Sequence, residues 1–282
     1  MKALPNFFLA GCQKTGSTWI HQCFREHPEI YVPQDDAIHY FTINYYKGLS
    51  WYQQYYQEQL NETMIGDTTP SYIRDPFVPR RIFNYCADAK IIITLRNPID
   101  RAFSHYWHEK KKKKIAFDFS EVIRNYDLYQ NWIVPGFYYE HLQKFYEWFS
   151  ERQILVVFYE DLASNPQSFI QDIFSFLGVD NEMVPSIVEG RVNQAWKYPR
   201  ESPSTKPHRE KIRKKISPYL PELAKKTIKS LILTNPSLPQ DSMSEYYDLG
   251  MNSRLREQLK YIYSTENEKL SRLTGRDLSG WQ

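Results

Sequence analysis

The chain has 282 residues, a formal net charge of +3, and a composition that is 41% hydrophobic and 16% aromatic. This size and apolar content can supply a substantial core for one large domain or two small ones. A net charge this small for the length does not indicate a nucleic-acid partner.

Three features of the sequence bear on where the protein works. No apolar run approaches the roughly 18 residues that a membrane-spanning helix requires, so we expect no membrane span. Residues 1–6 are too short to be a secretory leader ahead of the first predicted strand. Cys12, Cys23 and Cys86 show no metal-binding spacing and cannot all pair, which favours a reducing, cytoplasmic setting.

Strands and helices alternate along the predicted fold. Apolar runs rich in β-branched residues, such as 90–95, are typical of a parallel sheet that is covered on both faces. The alternation predicts an α/β fold in three layers, with a central parallel sheet flanked by helices. We expect a single domain over 1–282, in which 190–282 form peripheral loops and helices. In chain order, the predicted elements are a strand at 5–10, a helix at 17–27, a helix near 51–56, a strand and turn at 65–70, a helix at 76–87, a strand at 90–95, helices at 98–113 and 136–151, a strand at 153–158, and helices at 166–177 and 252–273.

The segment 7–19 is the most informative part of the chain. An apolar strand turns at a glycine, a lysine and a second glycine follow, and hydroxyl residues open the predicted helix. This order places backbone N–H groups, a helix N-terminus and a flexible cation around one point, which suits a phosphate or sulfate group. A standard P-loop has its lysine directly after its last glycine, whereas here Lys14 precedes Gly16 and Ser17 takes the usual lysine position. The pattern predicts a P-loop-like fold and argues against an ordinary ATPase.

A second candidate site follows the strand at 90–95. Arg96 comes directly after that strand, and Ser104 lies just over two helical turns farther on. Ligands of open α/β sheets bind beyond the carboxyl ends of the strands, so this pair could hold a second phosphate. The alternative is a surface arginine beside a helix cap at Asn97. No aspartate stands at the end of this strand to hold Mg²⁺, which weakens the interpretation as an NTPase.

These motifs resemble those of sulfotransferases that use 3′-phosphoadenosine 5′-phosphosulfate (PAPS), and are most similar to the heparan-sulfate-type and bacterial branch. Residues 13–18 are similar to the family's 5′-phosphosulfate loop, and 95–104, including Arg101, are similar to its 3′-phosphate motif. The joint order and spacing are specific, and the resemblance covers nearly the whole chain. Further matching segments are 135–138 with His141, 158–162, 176–178 and 275–281.

The resemblance implies that PAPS is the sulfuryl donor, that adenosine 3′,5′-bisphosphate (PAP) is the product, and that no metal is required. Lys14 would act as a catalytic residue by offsetting charge on the leaving phosphate oxygen during in-line transfer. Arg96 and Ser104 would hold the 3′-phosphate and distinguish PAPS from ATP. By analogy with bacterial members, Arg200 would close over the phosphates. The residues implied at the 5′-phosphosulfate end are Lys14, Thr15, Gly16, Ser17, Thr18 and Trp19.

The side that faces the sulfuryl acceptor departs from the family pattern. The heparan-type branch has its general-base glutamate where this chain has Ala37, and it has a lysine where this chain has Thr68. His39 is our candidate for the base, because imidazole titrates near neutral pH and histidine has that role in other sulfotransferases. Alternatively, His39 is a buried histidine with a purely structural role. Asp35 or Asp36 could serve as the base instead, or both could be solvated carboxylates in a loop.

Other segments admit two interpretations. The lysine run 110–114 is either a solvated helix end or a dock for an anionic acceptor. The aromatic residues of 45–56 either line an acceptor cleft or pack against the sheet. His105 and His108 are predicted to be surface or packing residues. The remaining candidates for contact with the acceptor are Tyr72, Tyr138 and His141.

We therefore expect a sulfotransferase of EC 2.8.2 type that moves a sulfuryl group from PAPS to a hydroxyl or amine of a small molecule or a saccharide. The changes at Ala37 and Thr68 favour a compact natural product of bacterial secondary metabolism over a glycosaminoglycan. One alternative is a P-loop kinase of small molecules, which would need ATP and Mg²⁺. The other is a catalytically impaired homologue that binds PAPS or PAP. The sequence does not indicate an oligomeric state.

Overall fold

A computed structural model describes residues 4–112, 114–188, 251 and 253–281 of the chain. Five parallel strands form a sheet in the order β2-β3-β1-β4-β5. The predicted α/β fold with a central parallel sheet is confirmed. The strands are β1 (Phe7–Gly11), β2 (Ile30–Tyr31), β3 (Met64–Asp67), β4 (Lys90–Leu95) and β5 (Ile154–Phe158).

Side chains of the central strand alternate between the two faces of the sheet. Phe7 and Leu9 pack with α1 and α8 on one face, and Phe8 and Ala10 pack with α3 and α6 on the other. Because helices cover both faces, the strands are mainly apolar and the fold has the predicted three layers. The helices are α1 (Ser17–Glu26), α2 (Leu49–Gln53), α3 (Val78–Tyr85), α4 (Pro98–Lys111), α5 (Tyr126–Leu128), α6 (Tyr138–Tyr146), α7 (Tyr159–Ser164), α8 (Pro166–Leu177) and α9 (Ser253–Thr274).

Local sequence fixes the ends of two of these helices. α4 begins after Asn97, whose side chain accepts a hydrogen bond from the Ile99 N–H at 3.0 Å, and Pro98 occupies the first turn. α8 ends at Gly178, whose φ of 79° lies in the left-handed region that glycine adopts at little cost. The predicted helix at 136–151 is shorter in the structure, because Gly136 closes a separate 3₁₀ turn before α6 begins.

The described residues all belong to one compact unit. The prediction of a single domain over 1–282 also concerns residues outside the described ranges, and it stays a prediction. In the described part of the chain, no helix has both the length and the apolar character needed to cross a membrane.

Candidate active site

The strand order places a crevice above the carboxyl ends of β1 and β4. From β1 the chain runs to β2 and β3 on one side, and then crosses to β4 and β5 on the other. Ligands of open α/β sheets bind where the strand order reverses in this way. The loop 12–16, here called the β1 loop, leaves β1 at this edge, and Arg96 follows β4 there. Both predicted anion-binding motifs therefore lie at the same edge of the sheet.

The β1 loop follows a backbone path that few residues adopt. Lys14 has a φ of 71° and Gly16 a φ of 92°, both in the left-handed region. A Cβ on Gly16 would lie 2.5 Å from Leu162 Cδ2, so close packing requires a glycine as well. The Ile20 N–H donates to the Gly16 carbonyl at 3.1 Å. The N–H groups of residues 17–19 come before the first donor of α1, Ile20. They therefore have no acceptor within the helix and can bind an anion.

Thr15 anchors the β1 loop on the end of β4. Its buried hydroxyl donates to the Cys12 carbonyl at 2.5 Å and contacts the hydroxyl of Thr94. Thr94 in turn donates to the Gly11 carbonyl at 2.7 Å, and the Cys12 N–H donates to the Thr94 carbonyl at 2.6 Å. The Thr15 side chain is thus used in holding the loop. Its role in binding the donor stays a prediction, and that role would fall to its backbone N–H.

Lys14 is the half-buried cation of the β1 loop. Burial and the charges of Lys112 and Arg96 lower the pKa of Lys14 to about 8. Glu109 opposes this shift. Lys14 is still mainly protonated at neutral pH, and the cations around it would be stabilised by a bound anion.

Arg96 lies beside the β1 loop and is held in place by several contacts. Its Nη1 donates to the Lys14 carbonyl at 3.3 Å, and its guanidinium lies 4.4 Å from the centre of the Tyr159 ring. The Tyr138 hydroxyl donates to the Arg96 carbonyl at 2.9 Å. Arg96 is only 9% exposed, which contradicts its interpretation as a surface arginine. Ser104 is half-buried in the second turn of α4, and its contact with a 3′-phosphate stays a prediction.

The turn that follows β3, residues 67–72, holds the candidate base. His39 has a φ of 57°, which is uncommon for a residue other than glycine. Its Nδ1 lies 3.1 Å from Ser71 Oγ, and its backbone N–H donates to Thr69 Oγ1 at 3.3 Å. In the tautomer that donates Nδ1–H to Ser71, Nε2 carries the lone pair and can accept a proton. The half-buried His39 is both structurally bonded and chemically able to act as a base.

A buried carboxylate, which the sequence did not single out, organises the same turn. Asp67 is fully buried at the end of β3. Thr69 Oγ1 donates to its Oδ1 at 2.6 Å, and the hydroxyls of Tyr52 and Tyr72 donate to its Oδ2 at 2.6 and 2.8 Å. Burial raises the pKa of Asp67, while these hydroxyl donors and the nearby His39 lower it.

His21 is a second site residue that sequence reasoning missed. It is buried on α1, and its Nδ1 lies 2.7 Å from Thr68 Oγ1, at the position where the heparan-type branch has a lysine. Thr18, one turn earlier on the same face of α1, donates to Asp36 Oδ2 at 3.2 Å. Burial lowers the pKa of His21, and Asp36 opposes that shift. The signal was in the sequence, because positions 18 and 21 share one face of the predicted helix.

The β1 loop and the 67–72 turn are neighbours, because the elements on both sides of the β1 loop contact the turn or the residue after it. A Cβ on Gly11 would lie 2.5 Å from Ile73 Cβ, so the end of β1 packs closely on the residue after the turn. The hydrogen bond between His21 and Thr68 joins the same two regions from α1. The two regions therefore form one site.

Several other predicted residues have partners inside the fold. Tyr72 and Tyr138 are buried, and their hydroxyls are hydrogen-bonded. Nε2 of His141 lies 3.1 Å from the Val134 carbonyl, and burial lowers the pKa of His141. Arg101 is 1% exposed and donates to a carbonyl of the 129–133 turn. Direct contact of these tyrosines or of His141 with an acceptor stays a prediction.

The remaining candidates differ in exposure. Asp35 and Asp36 are exposed, and Ala37 and Trp19 are half-buried. The aromatic residues of 45–56 were predicted either to pack against the sheet or to line an acceptor cleft. Tyr52 and Tyr56 are in the core, whereas Tyr45 and Tyr46 are exposed. Arg200 lies outside the described residues, so its predicted role is not addressed.

The predicted packing role of His105 agrees with the structure. Its ring centroid lies 4.4 Å from that of Trp132. Burial and nearby cations lower the pKa of His105 to about 3 and that of His108 to about 4, so both imidazoles are neutral at neutral pH. Across 4–112, 114–188, 251 and 253–281, no three His, Cys, Asp or Glu side chains are grouped to hold a metal ion.

Comparison with known proteins places the chain in a family. The model of the sulfotransferase domain matches residues 4–223. The bifunctional heparan sulfate N-deacetylase/N-sulfotransferase 2 of Homo sapiens is 32% identical over 195 residues, which are 62% of this chain and 22% of that protein. The membrane-associated sulfotransferase kil1 of Dictyostelium discoideum is 32% identical over 129 residues, which are 43% of this chain and 27% of that protein. The chain thus spans about a quarter or less of these relatives.

A solved structure has a similar fold. The crystal structure of a sulfotransferase from Alicyclobacillus acidocaldarius superposes with a TM-score of 0.72 and covers 99% of both chains at 23% sequence identity. This likeness agrees with the three-layer architecture described above.

Proposed function

We propose, for a chain that belongs to the sulfotransferase domain family, that it transfers a sulfuryl group from PAPS to a hydroxyl or amine of a small-molecule or saccharide acceptor. The observation that carries the proposal is the meeting of Lys14 and Arg96 at the switch point of the sheet. They follow neighbouring strands, and Arg96 Nη1 reaches the Lys14 carbonyl at 3.3 Å.

The groups present at this edge fit the chemistry of such a donor. PAPS carries negative charge at both a 5′-phosphosulfate and a 3′-phosphate. The first-turn N–H groups of α1 and the Lys14 ammonium would hold the first, and the Arg96 guanidinium would hold the second. The lowered pKa of Lys14 supports this fit, because burial and neighbouring cations make the site favourable for an anion.

The residues of the chain suggest how transfer would proceed. When bound, PAPS supplies a sulfuryl group on a phosphate leaving group. Lys14 would stabilise the negative charge that develops on the leaving oxygen. His39 Nε2 would take the proton of the attacking hydroxyl or amine, while Ser71 holds Nδ1 and so fixes the ring.

The class of acceptor follows from two considerations. The relatives include proteins named as N-sulfotransferases of heparan sulfate, which supports an amine or a saccharide as the acceptor. Ala37 and Thr68 replace two functional residues of that branch, which favours a smaller molecule. A cytoplasmic location and a role in bacterial secondary metabolism are part of the same proposal.

Thermal-shift titration with PAP, ATP and ADP tests the donor. PAP should stabilise the protein far more than ATP, because only PAP carries the 3′-phosphate that Arg96 would bind. Equal stabilisation by PAP and ATP would argue against the 3′-phosphate site and favour a kinase.

A turnover assay with PAPS tests the reaction itself. Transfer should be detected on at least one member of a panel of sugars, phenols, amines and guanidines. Tight binding of PAP together with no transfer to any class of acceptor would favour a catalytically impaired homologue.

A further inference from the structure

We propose that Asp67 is a positioning residue for proton transfer. Its buried carboxylate holds the backbone amides of His39 and Phe41 in place through two hydroxyl groups. The proposal rests on the proposed function, because it takes His39 as the proton acceptor. It gives Tyr72, which the sequence offered as a candidate for contact with the acceptor, a role inside the fold.

Two hydroxyl groups join Asp67 to the segment that carries His39. Thr69 Oγ1 accepts from the His39 N–H at 3.3 Å and donates to Asp67 Oδ1 at 2.6 Å. The Tyr72 hydroxyl accepts from the Phe41 N–H at 3.2 Å and donates to Asp67 Oδ2 at 2.8 Å. An ionised carboxylate can only accept hydrogen bonds, so it directs both hydroxyl protons towards itself and leaves their lone pairs for the two amides.

The backbone at His39 needs this support. Its φ of 57° is less favourable for a residue with a Cβ, and such a conformation persists only where surrounding contacts hold it. The tethered amides are those of His39 itself and of Phe41. If they were released, the segment could relax and the imidazole would lose its 3.1 Å contact with Ser71.

The hydroxyl donors also support the charge of Asp67. Burial of an ionised carboxylate is costly, and here hydroxyl donors offset that cost. Burial raises the pKa of Asp67, and the donors Thr69, Tyr52 and Tyr72 lower it. These donors therefore favour the ionised form, which directs the two hydroxyl protons towards Asp67.

The other titratable groups around Asp67 remain neutral in the working range of pH. Burial raises the pKa of each tyrosine that faces this carboxylate, so none of them ionises below about pH 9. These tyrosines therefore face Asp67 as neutral groups. These tyrosines include Tyr52, Tyr56, Tyr72 and Tyr85.

Tyr72→Phe and Tyr52→Phe form a matched pair of variants. Both hydroxyls are buried and donate to Asp67 Oδ2, but only that of Tyr72 also accepts from Phe41. Tyr72→Phe should lower kcat about tenfold or more while leaving the KM for PAPS unchanged, because it disturbs the proton acceptor and not the donor site. Tyr52→Phe also removes a donor to Asp67, but it should lower kcat clearly less, because the Tyr52 hydroxyl makes no bond to the 39–41 backbone. Amide hydrogen exchange at Phe41 should accelerate in Tyr72→Phe alone.

Asp67→Asn removes the charge while nearly keeping the shape of the side chain. The amide that replaces the carboxylate also donates through its NH2 group, so it no longer directs both hydroxyl protons towards itself. Asp67→Asn should therefore lower kcat about tenfold or more with the KM for PAPS unchanged, and amide exchange at His39 and Phe41 should accelerate.

Three results would overturn the proposal or its premise. Equal effects of the two tyrosine variants on kcat and on Phe41 exchange would show that these hydroxyls contribute only to packing in the core. An unchanged kcat in Asp67→Asn would overturn the role of the carboxylate. No sulfuryl transfer by the unmodified protein, with Phe41 exchange still faster only in Tyr72→Phe, would reject the proposed function and retain the tether.

Discussion

The β1 loop and the 67–72 turn are neighbours in one site, yet they hold their chemical groups by different means. The β1 loop places its groups through backbone geometry, with left-handed Lys14 and Gly16 and a helix N-terminus. The 67–72 turn uses side chains, since hydroxyls bonded to the buried Asp67 hold the backbone near His39.

The two regions therefore differ in the ligands that they can bind and in the substitutions that they tolerate. A site made of backbone N–H groups and cations binds any ligand with the right arrangement of negative charge, because it reads charge more than shape. A site held by buried hydroxyls depends on each partner, since a buried polar group left unpaired is costly. The first region is thus suited to a donor shared by a family, and the second to an acceptor that differs between members.

The largest expected effect is that of Lys14→Ala. Loss of a cation aimed at the leaving oxygen should lower kcat by about 10²- to 10³-fold, as for other groups that stabilise developing charge. Steady-state kinetics with PAPS checks this. Lys144→Ala is the control, because Lys144 is an exposed lysine paired with Glu147 at 2.6 Å. A similar loss in both variants would show that general charge and not the β1 loop is responsible.

The next effect is that of Arg96→Ala on selectivity for the 3′-phosphate. The affinity for PAP should fall about 100-fold, while that for adenosine 5′-phosphate should change little, because charge-assisted hydrogen bonds to one phosphate are lost. Calorimetry with both ligands measures the difference. Arg256→Ala, which removes a 2.7 Å ion pair with Asp100 on α4, is the control. Equal losses for both ligands would place Arg96 at the 5′ end instead.

The sequence predicted the region built from backbone more fully than the region built from side chains. The order of glycine, lysine and hydroxyl residues in 11–18 reports backbone geometry directly, and the apolar run before Arg96 indicated its strand. Both motifs depend on residues that are close together in the chain, so their spacing is informative. Thr15 is a partial exception, because its hydroxyl holds the loop on Thr94, 79 positions away.

The network around Asp67 could not be predicted in the same way. Its members come from β3, α2 and two turns, and neither periodicity nor spacing indicates that they meet. Tyr52 and Tyr46 are both tyrosines of one aromatic segment, yet Tyr52 is fully buried and Tyr46 is 82% exposed. Only the three-dimensional packing decides which of the two can reach a carboxylate.

The pH dependence of PAP binding is a smaller effect, and it tests the protonation state of Lys14 in the β1 loop. The pKa of Lys14 is lowered to about 8 in the free protein, and a bound phosphate would raise it. The complex therefore binds the proton more tightly than the free protein does, so affinity should be nearly constant between about pH 7, where the phosphates of PAP are ionised, and about pH 8, and should fall above that by at most about tenfold per unit. Calorimetry at several pH values, with Lys14→Ala as the control, checks this. A decline that persists in Lys14→Ala would have to come from another group.

The smallest expected effects concern charges at the end of α4, and they have opposite signs. Lys112 lowers the pKa of Lys14 and Glu109 raises it. Lys112→Ala should therefore move the decline in PAP affinity to higher pH, and Glu109→Gln should move it to lower pH. Each shift should be a few tenths of a unit, because solvent and salt screen charges near the surface. At neutral pH and low salt, Lys112→Ala should weaken PAP binding about two- to fivefold through the loss of a nearby cation, and Glu109→Gln should strengthen it. Shifts of the same sign in both variants would mean that the end of α4 acts on the β1 loop through its conformation and not through its charge.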